Sequence, residues 1–304
     1  MNIFKLQIIH MLSKNQLGFL YMFLSVCTFS IMDLIVKWSG DYPTGQVMFF
    51  RGFFGIIPTF FLIPKEKLKT FYKTNRPIEH FFRCVMGLMA LVAIFIALRK
   101  LPLAIVVSIS FAAPLFITVL SIFLLSEKVG IYRWLAVLIG FVGVIIISEP
   151  GIKEMNYLYF LPLIFCIGMS FVTITIRKLS TTEPIWLISM FFSIMILITS
   201  LFTIPFGWVM PNLKDFVLLM MVGIMGGSAN LFLTQSYKLS EVSLVAPLKY
   251  LSLVFAIVFG YLIWNEIPTA KTLIGALLVV SASLIIFRRE IYHNEKIPSA
   301  TRHE

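Results

Sequence analysis

Residues 98–128, LRKLPLAIVVSISFAAPLFITVLSIFLLSEK, recur in a second version at residues 236–266, SYKLSEVSLVAPLKYLSLVFAIVFGYLIWNE, and this repeat decides the fold. Each version has a Lys-Leu pair before an apolar run and a glutamate where the run ends, Glu127 or Glu266. We expect each glutamate to cap a helix or order a turn. With one short gap, the match goes beyond shared hydrophobicity, so the two halves of the chain are predicted to be copies of one unit.

The composition is that of a membrane protein. Of the 304 residues, 59% are hydrophobic and 13% are charged, whereas a soluble domain is about 45–50% apolar and about 25% charged. The apolar residues recur in runs of about 20, the length that spans a bilayer as a helix. A soluble globular protein with a single buried core is therefore excluded.

A hydropathy scan with a window of roughly 19 residues predicts ten apolar spans joined by short loops. The loops contain turn-forming residues and leave no room for an extramembrane domain. The predicted fold class is an all-α integral membrane protein with ten transmembrane helices. The spans cover residues 17–37, 45–63, 80–98, 103–125, 131–148, 157–177, 184–206, 215–237, 243–264 and 271–288.

The domain prediction combines the spans with the repeat. Because each half has five spans, an odd number, the second half crosses the membrane in the opposite sense to the first, and the halves are inverted repeats. The predicted segments are a cytoplasmic N-terminal lead-in at 1–16, a first repeat at 17–148, a connecting loop at 149–156, a second repeat at 157–288 and a basic cytoplasmic tail at 289–304.

Lysine and arginine are distributed unevenly between the predicted loops. With a cytoplasmic N-terminus, sixteen of these residues fall in inside segments and six in outside ones, and inside loops of membrane proteins are enriched in positive charge. Both termini are therefore predicted to be cytoplasmic. The net charge of +11 suits an anionic membrane leaflet, and no nucleic-acid partner is expected because no soluble basic domain carries the charge.

Inverted repeats are a recurrent architecture of secondary transporters, in which the solute binds near the bilayer midplane between the two halves. Channels and some intramembrane enzymes are also duplicated, and a duplication can be retained for packing alone. We expect a secondary transporter that moves a small-molecule solute by alternating access.

Ionisable side chains inside the spans mark the expected solute path, because a charge in hydrocarbon usually faces a cavity or a partner. Asp33 and Lys37 are one helical turn apart with the acid first, the favourable order for an i,i+4 ion pair. Arg51 lies about 10 Å into span two, and Lys249 enters span nine by a similar depth. Lys37 is included in the path, although Lys37 and Arg83 are both expected to reach the membrane surface.

Uncharged residues complete the predicted path. Two prolines in the repeated span lack a backbone N–H, which produces a kink or frees a carbonyl for a ligand. Two amides in span eight are able to bind a solute or to join helices. Two aromatic rings are able to stack on a planar ligand. These residues are Pro114, Pro247, Asn230, Gln235, Phe111 and Tyr250.

Small residues predict where helices approach one another closely. The segments are GIMGG at 223–227 and GFVG at 140–143. A packing role is expected for both.

No enzymatic constellation is found in the predicted spans. The four histidines lie at the termini or at a span edge, which leaves no metal site or serine–histidine pair in the membrane interior. The chain has no G-x-x-x-x-G-K-[ST] segment for ATP, and its three cysteines are not spaced for a metal or a disulfide framework. The chain is not expected to be an enzyme, and no catalytic residue, metal or cofactor is predicted.

Several segments resemble a known family. The most specific is APLFITVLSIFLLSEKVGIYRWLAVLIGFVGVIIISEPG at 113–151, and the others are DLIVKW at 33–38, FFRG at 49–52, RPIEHFFRCVMG at 76–87 and APLKYLSLVFAIVFGYLIWNEIP at 246–268. Together they resemble the drug/metabolite transporter superfamily with two EamA domains. The resemblance implies ten helices in two inverted halves, a bacterial inner-membrane location, and a central cavity that opens alternately to either side.

Within this superfamily the segments are most similar to riboflavin importers and S-adenosylmethionine transporters. Such relatives often have an acid or an arginine around the APxxY of span nine, where this chain has Leu248 and Lys249 ahead of Tyr250, so the resemblance leaves the solute open. A riboflavin-like solute is expected first, with S-adenosylmethionine or an amino acid as the alternative. A membrane scaffold or receptor is the alternative from another class. The expected partners are the solute, the lipid bilayer and, as an option, a second copy of the chain.

Overall fold

The computed structural model describes residues 14–39, 42–67, 72–113, 115–116, 119–120, 131–148, 157–240 and 245–295. Within these residues the chain is helical and has no strand, because a helix satisfies all of its backbone hydrogen bonds internally and is stable in lipid. Ten α-helices have described bounds. They are α1 (Lys14–Trp38), α2 (Thr44–Phe60), α3 (Pro77–Lys100), α4 (Leu103–Ser110), α5 (Ile131–Ser148), α6 (Phe160–Leu179), α7 (Ile185–Leu201), α8 (Leu213–Leu239), α9 (Leu251–Trp264) and α10 (Ala270–Glu295).

The ten described helices fall on the ten predicted spans, and residues 114, 117–118 and 121–125 of span four lie outside the described residues. Four apolar segments are long enough by themselves to cross a bilayer: Gln16–Trp38, Pro77–Lys100, Tyr157–Ile176 and Leu213–Leu239. Span nine differs at its beginning, where a 3₁₀ turn at Ala246–Tyr250 precedes α9. Pro247 lies in the first turn of that segment, where a residue without a backbone N–H is tolerated.

Each helix of the first half has a counterpart five helices later in the chain, and the contacts between the halves follow this correspondence. Helix α1 packs on α8, and its counterpart α6 packs on α3. The pairs α2 with α7, α4 with α9, and α5 with α10 each join a helix to its own counterpart. The fold is therefore two inverted five-helix repeats, and all ten helices contribute side chains to one buried apolar cluster.

The two repeats differ most in the contact between α2 and α8. These two helices make an extensive contact, whereas the equivalent contact of α7 with α3 is much smaller. Glycines on α8 allow the close approach, because a Cβ atom on Gly227 would lie 2.6 Å from the Gly55 carbonyl oxygen of α2. Helices α5 and α10 also meet at glycines, since a Cβ on Gly143 would lie 2.7 Å from the Gly275 oxygen. Both glycine segments noted in the sequence thus lie at helix contacts.

The beginning of α8 is capped by Asn212. Its Oδ1 accepts a hydrogen bond from the Asp215 backbone N–H at 2.9 Å, and its Nδ2 donates to Asp215 Oδ2 at 2.8 Å. We expect Asn212→Ala to lower the free energy of unfolding by about 1 kcal/mol, because the first-turn N–H loses its acceptor. Thermal melting of the purified protein in detergent checks this. Asn212→Ser, which keeps an acceptor, is the control, and equal melting of the two variants would contradict the prediction.

Candidate functional site

Two arginines are buried between the halves of the protein. Arg51 on α2 and Arg83 on α3 are each about 10 Å from the beginning of their helix, and the two helices begin at opposite ends of the bundle. The residues are 2% and 1% exposed. Arginine is almost never fully buried unless it is paired, so the surroundings of these two side chains matter for function.

Arg83 is held by the second half of the chain. Its Nη2 donates a long hydrogen bond to Asn230 Oδ1 of α8 at 3.5 Å. The guanidinium carbon lies 4.0 Å from the ring centroid of Phe192 on α7, which is a cation–π contact. The side chain is therefore fixed by two helices that belong to the other repeat.

Arg51 occupies a space left by glycines. A Cβ atom on Gly55, one turn further along α2, would lie 2.6 Å from Arg51 Nη1. A Cβ on Gly226 of α8 would overlap the guanidinium and lie 2.6 Å from the sulfur of Met32. Only glycine at position 226 leaves room for the arginine, so Gly226 belongs to the site as well as to the helix contact.

The cluster carries positive charge without a neutralising acid. Among the described residues, the ion pairs are Lys37 with Glu266 and Arg76 with Glu79, and neither includes Arg51 or Arg83. Arg51 lies beside Gly226 and Arg83 bonds Asn230, one turn further along α8, so both guanidinium groups contact the same stretch of this helix. The Nε and Nη1 atoms of both arginines are buried without a hydrogen-bond partner. We call Arg51, Arg83, Phe192, Gly226 and Asn230 the arginine site.

A second charged cluster lies at the end of the bundle where α1 ends. We call this end of the bundle the Lys37 end. Lys37 Nζ is 2.7 Å from Glu266 Oε1 and donates to the Leu101 carbonyl oxygen at 2.8 Å. Glu266 Oε2 accepts a hydrogen bond at 3.0 Å from the backbone N–H of Leu103, at the start of α4. Glu266 therefore orders the beginning of a helix, in agreement with the expectation for it.

The structure corrects the expectation for Lys37. The Lys37 side chain is 10% exposed and is paired with Glu266 instead of Asp33 or the membrane surface. Glu266 reaches it because Asn265, the residue after α9, has a left-handed backbone (φ 53°). This turns the chain back, and the Glu266 N–H donates a hydrogen bond to the Gly260 oxygen. The contact between Lys37 and Glu266 therefore replaces the Asp33–Lys37 ion pair that the i,i+4 spacing predicts.

Asp33 is half-buried on α1, one turn before Lys37. In the described part of the chain, no cationic side chain lies within ion-pair distance of it. Its role in a solute path stays a prediction.

The remaining predicted path residues fall into separate groups. Phe111 and Tyr250 touch edge to face with ring centroids 5.0 Å apart, which joins the first half to the second. Lys249 Nζ lies 5.3 Å from the ring centroid of Tyr237. Gln235 is half-buried on α8, beyond Asn230. Pro247 lies in the 3₁₀ turn before α9, and Pro114 lies outside the described residues. Of the predicted set, Arg51 and Asn230 belong to the arginine site.

Polar contacts join the halves at both ends of the bundle. At the Lys37 end, Gln46 Nε2 donates to the Val209 oxygen at 2.6 Å, and Gln46 Oε1 accepts from the Val209 N–H at 3.0 Å. At the opposite end, Glu183 Oε1 accepts from Thr74 Oγ1 at 2.8 Å and from the Asn75 N–H at 2.9 Å. The arginine site is enclosed between these two sets of contacts.

Sequence reasoning missed Arg83, which was expected to extend toward the membrane surface. A signal for it was present, because the triplet Phe-Phe-Arg occurs at 49–51 and again at 81–83. The neighbouring His80, expected at a span edge, is also buried, and its ring packs at a tilt against Phe191 with a centroid distance of 4.8 Å. The first turns of α3 are thus more deeply enclosed than hydropathy indicates.

Known proteins resemble this chain over most of its length. An S-adenosylmethionine uptake transporter of Rickettsia prowazekii is 28% identical over 94% of this chain and 96% of its own length. A pseudopaline exporter of Pseudomonas aeruginosa is 28% identical over 89% of this chain and 96% of its own. A riboflavin transporter of Rhizobium johnstonii is 25% identical over 93% and 95%.

A solved crystal structure has the same fold, with a TM-score of 0.65 and 17% identity over 92% of this chain and 99% of its own. The sequence pattern of the EamA-like transporter family matches residues 16–149 and again residues 156–288. Two matches in one chain agree with the two helical repeats described above. The chain is a multi-pass membrane protein and belongs to the EamA-like transporter family.

Proposed function

We propose that this chain is a secondary transporter that moves a small organic metabolite by alternating access, with S-adenosylmethionine as the first solute to test. Its proposed location is a bacterial inner membrane, with both termini in the cytoplasm and the repeats at 17–148 and 157–288. The solute passes between the halves and is released chemically unchanged. The observation that carries this proposal is the arginine site, a buried polar cluster between two inverted repeats.

The position of the arginine site supports a solute-binding role. Secondary transporters built from inverted repeats bind their solute near the midplane at the interface of the repeats. Arg51 and Arg83 come from the first half, whereas Phe192, Gly226 and Asn230 come from the second. A movement of one half against the other therefore changes the site, as alternating access requires.

The charge of the site favours S-adenosylmethionine over riboflavin. Riboflavin is uncharged near neutral pH and offers nothing to neutralise two buried guanidinium groups. S-adenosylmethionine has a carboxylate that is able to neutralise the arginines. The similarity to a protein of Rickettsia prowazekii named as an S-adenosylmethionine uptake transporter also supports testing S-adenosylmethionine before riboflavin.

Riboflavin is the second candidate, because a riboflavin transporter is also among the relatives. Phe192 in the arginine site and the Phe111–Tyr250 pair provide aromatic surfaces, and these suit a planar ring system.

The test is a flux measurement with purified protein in proteoliposomes. Labelled S-adenosylmethionine and labelled riboflavin are each supplied outside vesicles that contain the unlabelled compound, so that exchange is detected whichever direction is physiological. We expect S-adenosylmethionine exchange well above that of empty vesicles and little riboflavin exchange. The opposite result would make riboflavin the favoured solute, and no exchange of either would contradict the proposed substrates.

A further inference from the structure

We propose that Arg51 and Arg83 together bind an oxyanion group of the transported solute, a carboxylate first, and that this group is a requirement for recognition. The inference rests on the proposed function, since it names the chemical class of solute that the arginine site accepts. It also makes a claim about binding alone, which can be tested without transport.

The unpaired nitrogens are the first support. Four guanidinium nitrogens, Nε and Nη1 of each arginine, are buried without an acceptor. A buried charge is costly unless it is both paired and hydrogen-bonded. An oxyanion provides the missing acceptors and the missing negative charge together, whereas a neutral solute provides acceptors alone.

The chemistry of arginine is the second support. A guanidinium is a rigid planar fork of donors that matches carboxylate and phosphate groups, and it stays charged under all ordinary conditions. Hydrogen bonds between two charged groups are shorter and about twice as strong as those between neutral groups. Two such forks near one another favour an anion over a neutral group at the same position.

The arrangement around the arginines is the third support. Phe192 covers one face of the Arg83 guanidinium, and Asn230 binds one of its nitrogens. The glycines Gly55 and Gly226 leave the space that Arg51 occupies. The Arg83 side chain is therefore held in place before a solute arrives, which lowers the entropic cost of binding.

Two matched pairs of compounds test the inference by ligand-induced thermal stabilisation of the full-length protein in detergent. S-adenosylmethionine is compared with decarboxylated S-adenosylmethionine, and riboflavin 5′-phosphate with riboflavin. We expect the anionic member of at least one pair to bind about 10- to 100-fold more tightly, as expected for a charged hydrogen-bonded contact. Preference within the first pair identifies a carboxylate, and preference within the second pair identifies a phosphate.

Arg51→Gln and Arg83→Gln are expected to remove this preference. Lys100→Gln is the control, since it deletes a cation from the exposed end of α3 and is expected to keep the preference. Equal binding within both pairs, no anion-dependent stabilisation in the wild-type protein, or a preference that survives in both arginine variants would overturn the inference.

The stability of the empty protein separates a binding role from a structural one. An unpaired buried charge costs free energy, so Arg83→Met is expected to melt at the same temperature as the wild type or higher while losing the response to the anion. A large drop in melting temperature would indicate a structural role instead.

The flux measurement separates the two proposals. Anion-dependent binding of a compound without its flux supports the oxyanion site and contradicts transport of that compound. Flux that is equal for the anionic and neutral members of both pairs leaves transport standing and contradicts the oxyanion site.

Discussion

Gly227→Leu is expected to prevent stable packing of α8 on α2 and to give the largest loss of folded protein among the substitutions considered. A Cβ at position 227 would lie 2.6 Å from the Gly55 oxygen and 2.9 Å from the Gly55 Cα. Both are backbone atoms, so no side chain can move aside. The helices have to separate, which also disturbs Arg51 beside Gly226.

Gly227→Ala is expected to produce a milder form of the same defect. Overpacking a tight contact costs about 1–3 kcal/mol, and alanine adds only the first atom of the leucine side chain. The measurement is the fraction of protein that elutes as a single species in detergent, followed by thermal melting.

Val217→Leu is the control for Gly227→Leu, because Val217 lies on the same helix and is 41% exposed. It is expected to behave like the wild type. Normal elution and melting of Gly227→Leu would mean that α2 and α8 are further apart than described.

Glu266→Ala is expected to lower the free energy of unfolding by about 2–4 kcal/mol, the second-largest effect. The change removes the ion-pair partner of Lys37 and the acceptor for the Leu103 N–H at the same time. The lysine ammonium then keeps the Leu101 carbonyl oxygen as its hydrogen-bond acceptor, with no counter-charge.

The double variant Lys37→Met/Glu266→Leu distinguishes an ion pair from a general packing effect. Replacing both members of a buried pair with apolar residues is often nearly neutral, whereas removing one member is not. The double variant is therefore expected to be more stable than Glu266→Ala, and thermal melting of Lys37→Met, Glu266→Leu and the double variant gives the coupling energy. If Glu266→Ala is no less stable than Lys100→Gln, the ion pair does not stabilise the fold.

The helices and their relation were predictable because lipid imposes a simple rule. A segment that crosses hydrocarbon has to be apolar over about 20 residues, so ten spans can be read from hydropathy without knowledge of any contact. The repeat at 98–128 and 236–266 then relates the halves. The close contacts at Gly227 and Gly143 were indicated for the same reason, since helices in lipid pack through small residues.

The candidate site was predicted in part. Arg51 and Asn230 were chosen because polar groups are rare and costly inside a membrane protein. Arg83 was assigned to the surface because hydropathy measures the cost of placing a charge in lipid, and a long side chain near a helix end is able to escape that cost. Its enclosure by Phe192 and Asn230 depends on helices more than 100 residues away.

The sequence by itself determined the membrane class, the ten helices, the inverted repeat and the residue types able to line a path. Only the tertiary structure decided the partners, pairing Lys37 with Glu266 and placing two arginines against α8 with no ion-pair partner among the described residues. The reason is physical. The lipid requires each membrane-spanning segment to be apolar, and this requirement applies to each segment separately. Side-chain pairing depends instead on how each helix is rotated about its axis and on the direction of the chain after a turn such as that at Asn265.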